Sequence, residues 1–164
     1  MKLRELVEGR QVIVTCGAGG VGKTTSSAAL ALAAARLGRR ALVLTIDPAR
    51  RLAQALAIPL QGPDPVRIDD AKLLEAGLTL PAGGELHAWM LDPQVVLERI
   101  VDRFSPSVEM AARIRRTRLY GALSEVIIGL QEYTAAEALY DFAEKGRYDL
   151  IVLDTPPSRN ALDF

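Results

Sequence analysis

The residues Gly17-Ala18-Gly19-Gly20-Val21-Gly22-Lys23-Thr24 follow the pattern G-x-x-x-x-G-K-S/T, a spacing suited to holding phosphate groups. Glycines at 17, 19, 20 and 22 let the backbone curl so that successive N–H groups face one anion. A helix opening at the end of this stretch adds the partial positive charge of its N-terminus to the same point. Lys23, one of four lysines in the chain, is expected to reach the β and γ phosphates of a nucleotide, Thr24 to hold Mg2+ and Thr25 to stand beside the α phosphate. Two aspartates complete the chemistry. Asp154 is expected to be the acid that holds the Mg2+ shell with Thr24, and Asp47 to orient an attacking water, which makes Lys23 and Asp47 the candidate catalytic residues. The plainer alternatives are a glycine-rich turn opening a helix, for the loop, and helix N-caps beside prolines, for Asp47 and Asp154.

These residues can act together only if strand ends deliver them to one rim of a sheet. Residues 11–16 are a β-branched run leading into the glycines, which predicts a buried strand. Residues 24–37 are rich in alanine and leucine and are followed by Gly38, which predicts a helix closed by a glycine. Residues 41–46 predict a second buried strand, stopped by Asp47-Pro48. Strand, helix and strand in close succession make a right-handed crossover unit and demand a parallel sheet. Residues 50–57 predict a short helix, and 59–70, with Pro59, Pro63 and Pro65, an irregular connection. A third strand is expected over 85–91 and a helix over 94–104, started by Asp92-Pro93. Residues 107–145 have helical propensity throughout, with Gly121 and Gly129 as weak points, and 148–153 predict a fourth strand ending at Asp154. The pattern is that of the α/β class: a doubly wound, mostly parallel sheet with helices on both faces and a helical block before the last strand. Ligands bind such sheets beyond the C-terminal strand ends, where the loop, Asp47 and Asp154 all fall.

Composition narrows the partners. The 164 residues carry Lys+Arg 20 against Asp+Glu 20, a formal net charge of zero, which argues against a nucleic-acid binder working through bulk positive charge. With 49% hydrophobic and 24% charged residues, one nucleotide-binding domain over 1–164 is expected, including a helical region at 93–146. The single cysteine, Cys16, excludes an internal disulfide or a multi-cysteine zinc site, points to a cytoplasmic location, and is read as packing at a strand end. No apolar run reaches membrane-spanning length, and residues 1–8 lack the apolar core of a signal peptide. Arg113, Arg115, Arg116 and Arg118 are read as a solvated helix face, Val126-Ile127-Ile128-Gly129-Leu130 as core, and His87 beside Trp89 as structural. Asn160-Ala161-Leu162-Asp163-Phe164 looks like the first turn of a helix without its body, so a fragment truncated at its C-terminal side is expected.

The loop, Thr45-Ile46-Asp47-Pro48-Ala49 and Asp154-Thr155-Pro156-Pro157-Ser158-Arg159-Asn160 together resemble the ArsA-type ATPases, a family that takes in arsenite-pump ATPases and tail-anchored-protein targeting factors. The stretch from Tyr120-Gly121-Ala122-Leu123-Ser124 through Gln131-Glu132-Tyr133 is similar too, so the resemblance covers most of the chain. It implies a P-loop NTPase fold, ATP and ADP with Mg2+ as ligands, ATP hydrolysis, and a dimer opened and closed by the nucleotide cycle. Asp47 would lie in the first nucleotide-sensing switch and residues 154–160 would form the second. A hydrophobic client, a membrane-protein partner or an anion-transport-linked process is implied as the work done. One position departs from the family's pattern. Its deviant loop has a lysine directly after the first glycine, which reaches across the dimer to the partner's nucleotide, and here that residue is Ala18. The departure predicts a heterodimer with a related ATPase that supplies the missing cation, or else a regulatory module with little turnover of its own, in place of a self-sufficient homodimer. A partition or septum-positioning ATPase is a further alternative, against which stands Thr45 where those proteins carry an aspartate. Trivalent arsenic is held by several thiolates, and Cys16 supplies one.

Overall fold

A computed structural model describes residues 3–46, 51–56, 62–128 and 131–156. The chain divides into two compact units, Met1–Met90 with Phe142–Phe164, and Leu91–Asp141.

In the first unit the apolar runs become strands β1 (Val12–Thr15), β2 (Arg40–Thr45), β3 (Val66–Arg67), β4 (Glu85–Met90) and β5 (Leu150–Asp154). They form one sheet in the order β1-β5-β2-β4-β3. All neighbours run parallel except β3, which is antiparallel to β4. Between them come helices α1 (Leu3–Gly9), α2 (Lys23–Ala35), α3 (Arg51–Ala55) and α4 (Asp70–Glu75), so the doubly wound α/β expectation is borne out. The first two strands are parallel but not adjacent. β5 lies between them, with Val152 opposite Ile13 on one side and opposite Val43 on the other. Its residues are buried throughout, as are those of β2 after Arg40, and unbroken apolar runs suit strands covered on both faces. β1 ends the row, and its Val12 and Val14 stay 36% and 43% exposed.

Residues 59–70, expected to be irregular, instead hold β3 and the start of α4 within their described part. Pro65 precedes β3 rather than entering it, and an edge strand tolerates a nearby residue without an N–H. α2 packs on β2 and β5 through Ala31, Ala34 and Ala35, all fully buried. Small side chains bring helix and sheet close: a Cβ added to Gly84 at the start of β4 would lie 2.2 Å from the carbonyl oxygen of Ala35. The helix ends in a turn at Gly38 (φ +81°), whose N–H donates to Ala35 O at 3.0 Å. His87 is structural, as expected: its Nε2 is 3.0 Å from Glu85 Oε2 and its ring meets Tyr148 edge to face at 5.2 Å.

The second unit contains α5 (Pro93–Phe104), α6 (Val108–Arg115), α7 (Arg118–Ile128) and most of α8 (Gln131–Glu144). Asp92 caps α5, accepting from Gln94 N at 2.9 Å, and Ser107 caps α6. Residues 107–145 are therefore not one helix. The first break falls at Arg116-Thr117, where the Thr117 hydroxyl donates to Ile114 O at 2.7 Å and accepts from Tyr120 N at 3.2 Å, the side-chain competition that ends helices at threonine. Gly121 sits inside α7, and Gly129 lies outside the described residues. Of the four arginines, 113, 116 and 118 are solvated, whereas Arg115 turns back to Asp102 and Glu98 O on α5. Val126 is 60% exposed, which corrects its reading as core; residues 127–130 have no described burial. No described helix is long and apolar enough to cross a membrane.

Candidate functional site

β1 delivers the chain to the glycine loop and α2 leaves it at Lys23. Gly17 (φ +146°), Gly20 (φ +79°) and Gly22 (φ +88°) all occupy the left-handed half of backbone space, which residues with a Cβ rarely enter. The glycine spacing therefore corresponds to a backbone requirement at three of its four positions. Gly22 is the N-cap of α2 and brings no side chain to the helix terminus, so the first N–H groups of the helix remain available to an external acceptor. Lys23 curls over the loop, its Nζ donating to Gly17 O and Ala18 O, each at 2.8 Å. Ala18 itself is exposed. So is Cys16, which is therefore not packed into the core as the sequence suggested.

The second part of the site arrives from the far end of the chain. Asp154 ends β5, is 1% exposed, and accepts from Thr24 Oγ1 at 2.8 Å through Oδ2. Thr45 Oγ1, at the end of β2, lies 3.2 Å from the same Oδ2, and Ser27 Oγ lies 3.5 Å from Oδ1. Around this carboxylate the strand ends are tied by further hydroxyls. Thr15 Oγ1 is 2.7 Å from Ser27 Oγ and 3.1 Å from Leu153 O, while Thr155 Oγ1 donates to Thr15 O at 2.7 Å. Ser27 donates back to Lys23 O at 2.9 Å. Burying this many hydroxyls and a carboxylate is tolerable only because they satisfy one another.

Thr24 and Asp154 are a hydroxyl and a carboxylate, hard oxygen donors that suit Mg2+. Among the described residues no three His, Cys, Asp or Glu side chains cluster as a metal site. A cation here would complete its shell from phosphate oxygens and water, the habit of Mg2+ rather than of Zn2+, so the residues present fit the expected ion. Beside them opens a cleft of about 240 Å3, lined by Gly20, Gly22, Lys23, Thr24 and Thr25, by Ala55 of α3 and by Thr155. A larger cleft, about 460 Å3, lies between α4 and residues 78–85. Its cation, Arg67, is paired with Asp70 at 3.3 Å, and its glycines, Gly83 and Gly84, stand in the turn before β4 rather than at the N-terminus of a helix.

Of the residues singled out in the sequence, 17–25 and Asp154 therefore meet at one rim, and Thr24 touches Asp154 directly. Asp47 lies outside the described residues, as do 157–160. The backbone leading to Asp47 is nevertheless at this rim, for Ile46 N donates to Asp154 O at 3.4 Å. Sequence reasoning missed Thr15, Ser27 and the bonding role of Thr45. Their signal was one polar residue at the end of an apolar strand, and one serine a helical turn beyond Lys23 in an alanine-rich helix.

The sequence profile of the family described as anion-transporting ATPase matches residues 10–164. A protein of Aquifex aeolicus provisionally named arsenical pump-driving ATPase 1 is 27% identical over 157 residues, which is 94% of this chain and 37% of that protein. ATPase ASNA1 homolog 1 of Paramecium tetraurelia is 28% identical over 89% of this chain and 40% of its own length. Protein Rv2184c of Mycobacterium tuberculosis is 35% identical over 89% of this chain and 34% of its own. The chain thus spans between 34% and 40% of the length of these relatives.

Proposed function

This chain belongs to the anion-transporting ATPase family, and on that premise we propose that it binds ATP and ADP with Mg2+ and takes part in ATP hydrolysis. The observation that carries the reading is the bond from Thr24 Oγ1 to Asp154 Oδ2 at 2.8 Å, which joins the glycine loop to the acid at the end of β5. In this reading the N–H groups from Gly19 to Thr25 hold the phosphates, and the Lys23 ammonium exchanges its two carbonyl partners for β and γ oxygens. Thr24 and Asp154 hold Mg2+, which when bound offsets the charge of the phosphate oxygens. Asp47 orients the water whose oxygen bonds to the γ phosphorus as the bond to the β–γ bridging oxygen breaks, leaving ADP, phosphate and a proton. The cleft's volume of about 240 Å3 and its glycine wall leave room for the phosphate chain.

The finer parts of the reading rest on the family and on Ala18. The nucleotide cycle drives a dimer of this chain with a copy of itself or with a related ATPase, in the cytoplasm, and serves an anion-linked step or a membrane-protein client. Ala18 favours a second version, in which the chain binds nucleotide but turns it over slowly until a partner lends a cation. Replacing Lys23 with Ala tests the core of the proposal by calorimetry. The expected result is ADP and ATP affinity lowered by roughly a hundredfold; unchanged affinity for both would remove the loop from nucleotide binding.

A further inference from the structure

We infer that Thr45 is a positioning residue for the Mg2+ site: its hydroxyl fixes the Asp154 carboxylate so that Thr24 is held ready for the ion. The inference rests on the nucleotide reading of the loop and deepens it. β2 and β5 lie in register with Thr45 directly opposite Asp154. Thr45 is 1% exposed and follows the apolar residues Ala41, Leu42, Val43 and Leu44, all fully buried. A valine there would fill the same space, suit the strand and spare the desolvation of a hydroxyl. The hydroxyl's effect is therefore confined to what it bonds. Among the described residues its proton has Asp154 Oδ2 at 3.2 Å and Asp154 O at 3.5 Å in reach, and of these the shorter, charged acceptor is the stronger.

That same Oδ2 receives the Thr24 hydroxyl at 2.8 Å. With its proton committed to Asp154, Thr24 Oγ1 keeps its lone pairs for a cation. Two donors converging on one carboxylate oxygen fix the carboxylate's rotation, and hence the rotamer of Thr24. Ser27 adds little to this, because its proton has the closer acceptor Lys23 O at 2.9 Å against 3.5 Å to Asp154 Oδ1. Thr45 touches no phosphate and no reacting atom in this account. It acts through Asp154, at the point where the strand that leads to Asp47 meets the strand that leads to Thr155.

The test is an equilibrium titration of MgCl2 into the purified protein with ribose-labelled fluorescent ADP, beside a measurement of ADP affinity in EDTA. Thr45→Val is expected to raise the Mg2+ concentration for half-maximal tightening by about tenfold, the value of one charge-assisted hydrogen bond at the low end of its range. Affinity in EDTA should stay within twofold, and Thr45→Ser should restore the wild-type midpoint. An unchanged Mg2+ midpoint in Thr45→Val overturns the inference. So does equal weakening with and without Mg2+, because a merely structural role would lower both. Should Thr45→Val melt before the wild type at the working temperature, Thr45→Ala carries the same expected shift and the same two overturning results. Lys23→Ala in the same assay separates the two levels: retained nucleotide binding there defeats the nucleotide reading itself, whereas lost binding there with an unmoved Thr45→Val midpoint defeats only the role of Thr45.

Discussion

At Ala18 the loop presents a methyl group to solvent while its carbonyl accepts from Lys23. A methyl supplies neither charge nor hydrogen bond to a transferring phosphoryl group, and a cation reaching that group from a neighbouring subunit is worth on the order of 10^3 to 10^5 in rate for the comparable arginine finger. Because the position is exposed, Ala18→Lys should fold normally and raise steady-state turnover roughly tenfold or more. Equal rates for the two proteins would mean that this chain already supplies the charge. Asp47 makes a different prediction. In the proposed function Asp47 orients water beyond the γ phosphate, a role in the chemical step, so Asp47→Asn should lower turnover by roughly a hundredfold while ATP affinity stays within a few-fold. Parallel loss of both would instead make Asp47 a metal ligand.

Helix α2 carries the glycine loop at one end and presses on the sheet at the other, and Gly84 sets that second contact. Since a Cβ at Gly84 would lie 2.2 Å from Ala35 O, helix or strand must shift to admit Gly84→Ala. A cost of about 1 to 3 kcal/mol is expected in urea unfolding. At the other end of the sheet, β2 and β5 start together where Arg40 N and its guanidinium bind Asp149 at 2.8 and 3.1 Å. The Arg40 side chain, and then its backbone N–H, hold the Asp149 carboxyl below the ordinary carboxylate value. A carboxyl with a depressed folded pKa contributes stability that is present above its unfolded value, about 3.9, and is lost as pH falls through the folded one. Urea midpoints between pH 5 and pH 2 should therefore fall less for Asp149→Asn than for the wild type, by a small margin because the pair is partly solvated. Strands and caps of this kind were legible where one local rule decided them: Asp92-Pro93 started α5, and the runs at 41–46 and 148–153 became central strands. The glycine loop was legible for the same reason, since its backbone needs are written in consecutive residues. What stayed hidden depends on partners distant in sequence. Nothing local places β5 between β1 and β2 or turns Thr45 toward Asp154.

Among the described residues, the first unit is organised around β5. β5 pairs with β1 and β2 at once, and Thr24 and Asp154, which meet at the site, are 130 residues apart in the chain. During synthesis the glycine loop leaves the ribosome first, and at about 5 to 20 residues per second the acid that completes it follows on the order of ten seconds later. Through that interval β1 and β2 have no strand between them, and their apolar backbones stand open to mispairing. Ribosome-arrested chains ending at Tyr148 should bind fluorescent ADP weakly or not at all, and chains in which Thr155 has cleared the ribosome should bind it as the finished protein does; tight binding by the shorter chains would show that the loop works without β5. On the proposed nucleotide reading, capture of the ligand then waits for synthesis of β5, the strand that carries Asp154 to the glycine loop.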